Sequence, residues 1–407
     1  MFFELAYKNL WRNKRRTILA EISITLGVVV IICTGNFLNG MQRGWAMQEI
    51  DSNTGAFQVE HSDYKEKGKA EPLKTTLENS AALIDEISVA PGVSGAFGKL
   101  NFTGMVSSGL KSTFFEGVAV DVTRLKNTLT RQEDMITSGK PLDETPGGVV
   151  LGADLADSLG IKIGDPVTIV VQTFHGGLNL TYGTLAGVKN GRHFPSSTYL
   201  EMRLDEAQKL LRASGRVSRI VVGVNDFDKI PDVIGRVTSA LSNKSIPFTT
   251  RAYPELIQMY ATAKASFNFI SRIVGLVLLI LVGGGVGNVM AMAVMERRSE
   301  IGAMRAMGME RWQVKRLFLA EGFIIGGAGS LAGFVVATTW TFIMAAHGGL
   351  PLPPPPGTSQ ALAIVPVVDP MISAYGVVMP LIVALIASWW PASESAEISP
   401  VQAITEV

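Results

Sequence analysis

The sequence predicts a membrane α-helical protein: four transmembrane helices, with an extracytoplasmic α+β domain inserted between helices 1 and 2. Three observations predict it. Only 17% of the 407 residues are charged and mean hydropathy is positive, too apolar for an ordinary soluble chain of this length. Four runs offer the roughly 20 apolar residues that a helix needs to cross a bilayer. Between the first two runs lie roughly 220 residues in which strand-like and helix-like patterns interleave.

The first run, residues 17–39, contains "TILAEISITLGVVVIICTGNFL". The basic "KNLWRNKRR" before it could open a secretory signal, but the run is too long and no A-x-A-like site closes it. An uncleaved anchor is expected. The second run, 266–295, includes Ile273–Met295 without one charge. Its glycines Gly283, Gly284, Gly285 and Gly287 lie inside an apolar span, so they form no phosphate loop; close helix packing is their expected use. The third run covers 317–346 and the fourth 371–392.

Lys and Arg near span ends set orientation. Lys8, Arg12, Lys14, Arg15 and Arg16 precede the first run, and Arg297, Arg298, Arg305, Arg311, Lys315 and Arg316 fill the bridge at 296–316. Both stretches are expected in the cytoplasm. Residues 40–265 then lie outside, 347–370 form an outer loop stiffened by the prolines at 353–356, and the tail 393–407 returns to the cytoplasm. No Lys or Arg follows Arg316, so the fourth run is oriented by parity alone.

The inserted segment is long enough to bury a core of its own. "GGVVLG", "DPVTIVVQT" and "RVSRIVVGV" read as strands, and "DLADSLG", "LDEAQKLLRA" and "VIGRVTSALSN" as helices. Asp154 is placed to cap a short helix ending at Gly160, and Gly164-Asp165-Pro166 to turn the chain into a strand. Turn chemistry therefore accounts for Asp165 better than catalysis does.

Composition excludes other classes. A net charge of +1 provides no basic field for nucleic acid. One cysteine, Cys33, excludes an internal disulfide framework. G-x-x-x-x-G-K-[ST], H-E-x-x-H, G-x-S-x-G and C-x-x-C are all missing from the sequence. His61, His175, His193 and His347 show no ligand spacing. No catalytic, cofactor or metal site is expected on the chain.

The bridge, "MERRSEIGAMRAMGMERWQVKRLFLAEG" at 295–322, reads as a short helix, Glu300–Met307, ended by Gly308, then a second helix from near Glu310 into the third span. Ile301, Met304 and Met307 give one face an apolar stripe, with Arg297, Arg298 and Arg305 as the polar remainder. Such a helix can lie in the lipid interface, fill a hollow in a partner, or cap the bundle; amphipathicity alone does not choose.

The bridge resembles the R-x-x-E-I-G-x-x-R-A-x-G pattern of the FtsX/MacB-type, or mechanotransmission, ABC transporter permeases, through Arg297, Glu300-Ile301-Gly302, Arg305-Ala306 and Gly308. "LAYKNLWRNKRRT" is similar to the family's N-terminal interfacial helix, here 1–16. "VVLGADLADSLGIKIGDPVTI" and "FEGVAVD" resemble pieces of its MacB-type periplasmic domain, and "PASESAEISPVQAI" its tail. The family includes the lipoprotein-releasing permeases. The resemblance implies a non-catalytic subunit that pairs with a second copy or a paralogue. Its bridge residues Arg297, Glu300, Ile301, Gly302, Met304, Arg305, Ala306 and Gly308 would couple to a separate ATPase subunit that holds the ATP and Mg. The implied function is export or extraction of an amphiphile such as a lipoprotein, lipid, peptide or drug, sometimes with a periplasmic carrier or membrane-fusion protein. Activation of cell-wall hydrolases without transport, as by FtsX, is the alternative, and an ATP-independent receptor a third. Two departures stand out. The tail is acidic where arginines are usual. The turn "QTFHGGLNLTYG" is short and lacks the proline of the hook that recruits a carrier.

"NLWRNKRRTILAE" and "MERWQVKRLFLAE" enter the first and third spans with similar text, which places Glu21 and Glu321 at similar depth. Carboxylates there tend to face protein or water. Both are expected to pair with basic residues of the bridge or N-terminal helix, unless the similarity is chance.

Overall fold

The computed structural model describes residues 2–12, 14–68, 70–131, 136–189, 197–244, 246–257, 260–352 and 362–397. His193, the prolines at 353–356 and the tail beyond Glu397 lie outside them.

The chain opens with α1 (Phe2–Arg12) and α2 (Lys14–Glu49), the latter followed by a π-helical turn at Ile50–Thr54. The intervening region runs β1 (Phe57–His61), α3 (Tyr64–Lys67), α4 (Ser80–Ser88), β2 (Val93–Ser107), β3 (Ser112–Val120), α5 (Val122–Thr128), β4 (Ile136–Gly139), β5 (Gly148–Gly152), α6 (Ala153–Leu159), β6 (Pro166–Gln172), β7 (Leu178–Lys189), β8 (Tyr199–Arg203), α7 (Leu204–Leu210), β9 (Arg219–Val224), α8 (Ile230–Ser242), β10 (Phe248–Ala252) and α9 (Tyr253–Leu256). Then come α10 (Tyr260–Glu296), α11 (Arg298–Ala306), α12 (Arg311–Ala346), the strands β11 (Leu350–Leu352) and β12 (Leu362–Ile364), and α13 (Pro370–Glu397). Two compact units result: Trp45–Ala261, and Met1–Gly44 with Thr262–Val407.

In the α/β unit, β2 pairs with β3, β3 with β8, β8 with β5, β5 with β7, β7 with β6, and β6 back onto β2. The strands close into a barrel, which leaves those edges no unpaired ladder. Alternate residues fill it, among them Phe102, Val106, Phe115, Val149, Leu151, Ile169 and Leu185, and α6 and α7 add Leu155, Leu159 and Leu210. The rings of Phe102 and Phe115 meet edge to face at 5.6 Å. A second lobe, β10-β1-β9-β2, buries Phe57, Val59, Ile220 and Val222 beneath α4 and α8. The expected strands and helices of this region are present. One detail differs: Gly152, not Asp154, occupies the cap position of α6, and Asp154 sits in its first turn. There its charge still complements the helix dipole. Gly160 ends the helix at φ +69°, and Asp165 Oδ2 accepts the Lys162 amide at 2.8 Å, a turn contact.

This unit also buries charge. Lys189 Nζ and Glu201 Oε2 pair at 2.6 Å with both side chains almost fully buried, and Tyr199 donates to the same carboxylate. Lys99, buried on β2, donates to the Asn53 carbonyl of the π-helical turn at 2.9 Å.

In the membrane unit, α2, α10, α12 and α13 are each long and apolar enough to cross a bilayer. All four helices outrun their apolar cores. Hydropathy finds the stretch that must be dry, whereas helical hydrogen bonding continues through polar turns on either side. The first helix thus starts at Lys14 and continues to Glu49, and α13 runs on through the first tail residues.

The central helix is α12. On one face, a Cβ added to Gly322 would collide with Ser388 Oγ, and one added to Gly326 would lie 2.9 Å from Ala384 Cβ. On another face, the same addition at Gly329 meets Ile24 at 2.9 Å and at Gly333 meets Val28 at 2.6 Å. Helix α12 is therefore clasped between α13 and α2, with no room for larger side chains. The expectation for the second span is corrected here. Only Gly283 makes a tight approach, 3.0 Å from Val383. Gly285 and Gly287 are in ordinary contact and Gly284 faces open space. Successive glycines point around a helix, so they cannot all face one neighbour.

Candidate functional site

The bridge forms the expected helix–turn–helix, and the local chemistry explains each boundary. Helix α11 ends in a Schellman motif. Gly308 takes φ +96°, its amide donates to Arg305 O at 3.1 Å, and the Met309 amide donates to Met304 O at 3.1 Å. Met304 and Met309 both pack against the bundle core, the hydrophobic contact that accompanies this motif. Glu310 and Gln313 then make a reciprocal capping box that starts α12.

The inner side of the bridge is pinned to the membrane bundle. Arg297, at the junction of α10 and α11, sends Nη1 to Glu321 Oε1 at 2.8 Å and Nη2 to the Asn9 carbonyl at 2.9 Å. Asn9 Nδ2 donates to the same Glu321 oxygen at 2.9 Å. Arg297 is 5% exposed and Glu321 1%. One buried ion pair thus joins α1, the α10–α11 junction and α12. Outside it, Arg12 pairs with Glu300 and Arg16 with Glu296, both in solvent; such pairs contribute little. Arg305 donates to the Ala396 carbonyl and so fastens α11 to the end of α13.

These contacts sort the expected coupling residues. Ile301 and Gly302 are buried and Met304 half-buried, facing the bundle. Arg297 also faces inward, which corrects its placement on the polar face. Electrostatics decides this: Glu321, inside the apolar span, draws the guanidinium toward it. Met307, expected to share the stripe of Ile301 and Met304, is 80% exposed. Unwinding at the Schellman turn rotates it away from them. The outward tip consists of Ala303, Ala306, Met307, Gly308 and Glu310, with Glu300 beside them.

Of the two membrane carboxylates, Glu321 pairs as expected and Glu21 does not. Glu21 is half-buried and has no hydrogen-bond or ion-pair partner among the described residues. Similar text on different helices gave different neighbours. Sequence reasoning missed Asn9, for which nothing in the text is diagnostic. It also missed the small-residue stripes 322/326/330 and 329/333/337, which i, i+4 spacing does reveal. In the α/β unit, a cavity of about 180 Å³ is lined by Leu125, Leu129, Leu142 and Val150, with Lys189 and Glu201 also at its wall.

Two family models match the chain: a MacB-like periplasmic core domain over residues 17–240, more than half of it, and an FtsX-like permease C-terminal region over 272–400. The chain therefore belongs to the MacB/FtsX-type ABC transporter permease family. It is 24% identical over 416 residues to the lipoprotein-releasing system transmembrane protein LolE of Haemophilus influenzae, covering 95% of this chain and 93% of that protein. To the macrolide export ATP-binding/permease protein MacB of Hyphomonas neptunium it is 25% identical over 267 residues, 65% of this chain and 39% of that longer protein. The solved periplasmic region of MacB from Actinobacillus actinomycetemcomitans matches with a TM-score of 0.36 at 12% identity, covering 51% of this chain and 92% of that structure.

Proposed function

We propose that this chain is the non-catalytic membrane subunit of an ABC transporter whose ATPase is a separate chain docking on the bridge tip at 303–310. The observation that carries the reading is the division of the bridge: its inner side is tied to α1, α12 and α13, and its tip presents Ala306 and Met307 outward. A push on such a tip moves the bundle rather than merely bending a loop. Both termini and the bridge face the cytoplasm in this reading. A second copy or a paralogue completes the permease, and the α/β unit acts on an amphiphilic substrate outside the membrane. Similarity to a lipoprotein-releasing protein makes lipoproteins the first substrate class to test.

Met307→Glu places a charge on the exposed tip without touching the pinned side. It should abolish copurification of a co-expressed partner ATPase while leaving the unfolding temperature within about 2 °C of wild type, as expected of a surface change. Undiminished copurification would refute the docking site. Mass spectrometry of lipid and lipoprotein retained by the complex identifies the cargo.

A further inference from the structure

Helices α12 and α13 meet in a seam whose bridge-side end carries cations laid over aromatic rings. Lys315 Nζ is 5.8 Å from the centroid of the Trp389 ring, and the Arg316 guanidinium is 5.0 Å from that of Trp312. Both rings are about half exposed, Trp389 at 50% and Trp312 at 46%. Neither cation has a carboxylate partner among the described residues. Of the acids on the bridge and at the start of α12, Glu296 pairs with Arg16, Glu300 with Arg12 and Glu321 with Arg297, and Glu310 serves its capping box.

Beyond the cations, the surface turns apolar. Lys315, Leu319 and Phe323 follow one another at i, i+4 and i+8 on α12, and Phe323 is 44% exposed. The stripe lies in a helix suited to a bilayer. Amphipathic rings with Lys and Arg at the end of such a helix mark headgroup depth. Unpaired cations there attract phosphate, and the stripe above them suits hydrocarbon. A soluble phosphate would have no use for that stripe, and a protein docking on the tip approaches through Met307 rather than through this lipid-facing seam.

We propose that the α12–α13 seam binds an anionic phospholipid. Its phosphate sits between Lys315 and Arg316, flanked by Trp312 and Trp389, and its acyl chains follow Leu319 and Phe323. Each cation raises affinity for the anionic headgroup roughly fivefold, and cation–π contact holds both side chains in place before the lipid arrives. The site stands independently of any ATPase docking below it.

The full-length protein, reconstituted in phosphatidylcholine vesicles, provides the test through its own tryptophan fluorescence. Brominated phosphatidylglycerol and brominated phosphatidylcholine are compared as quenchers. The wild type should favour the anionic lipid about fivefold or more. Lys315→Gln with Arg316→Gln should bring that preference close to parity, and the charge-conserving pair Lys315→Arg with Arg316→Lys should keep it. Equal quenching of the wild type by the two lipids overturns the proposal, as does a Gln pair that keeps the preference. If the wild type shows no preference and the Gln pair instead loses its copurifying ATPase, the cations serve a protein and the lipid site does not exist.

Discussion

At the scale of single residues, Arg297 and Glu321 depend on each other. Each has been taken out of water, and each is tolerable there because the other neutralises it. Glu321→Gln or Arg297→Gln strands the remaining charge and should destabilise the membrane unit by about 3–5 kcal/mol. Arg297→Met combined with Glu321→Leu removes both charges and should recover most of that loss. Detergent-solubilised unfolding curves of the four proteins check this. If Glu321→Gln unfolds like the wild type and leaves coupled ATPase activity intact, the pair is not a pin. Lys99 gives a pH test. Burial lowers its pKa to about 7, helped by Arg219 and Lys189 and opposed by Glu201. An unfolded lysine keeps its proton to about pH 10.4. Between these values the unfolded chain binds more protons, so stability of the α/β unit should rise with pH, by at most about 1.4 kcal/mol per unit. Urea unfolding of the full chain between pH 7 and 9.5 should show the rise, and Lys99→Met should flatten it.

At the scale of elements, packing along α12 makes an asymmetric prediction. Gly326→Leu must push α13 away, and overpacking of this kind costs about 1–3 kcal/mol. Gly284→Leu meets open space and should leave the unfolding midpoint unchanged. Equal effects at the two positions would contradict the assignment of α12 as the clasped helix. The contrast also shows which parts of the structure were legible in the sequence. Spans were legible because a bilayer imposes length and apolarity on contiguous residues. The α11 boundary was legible because Gly308 provides a left-handed turn that other residues adopt at a cost. The strand–helix alternation of the α/β unit was likewise local. What decided the remainder was contact between distant segments. "GGGVGN" drew attention by its density, yet the close approaches fall on glycines four residues apart in another helix. Arg297 looked like one more surface cation until Glu321, 24 residues away, turned it inward. Asn9 gave no local sign, and the unlike fates of Glu21 and Glu321 were hidden behind nearly the same text.

At the scale of the whole molecule, the chain combines a MacB-like α/β unit with an FtsX-like four-helix unit, whose bridge is fastened to the bundle on one side and exposed on the other. Family membership makes it an ABC transporter permease; the division of the bridge carries the proposal of how a partner engages it. The barrel and the second lobe each bury an apolar core within the α/β unit. The most direct test of the central claim is labelling of Met307→Cys, in a Cys33→Ser background, with a membrane-impermeant maleimide in inverted and right-side-out vesicles. Labelling is expected in inverted vesicles alone, with protection when the partner ATPase is co-expressed. Labelling from the outer face, or full labelling in the presence of bound ATPase, would contradict it.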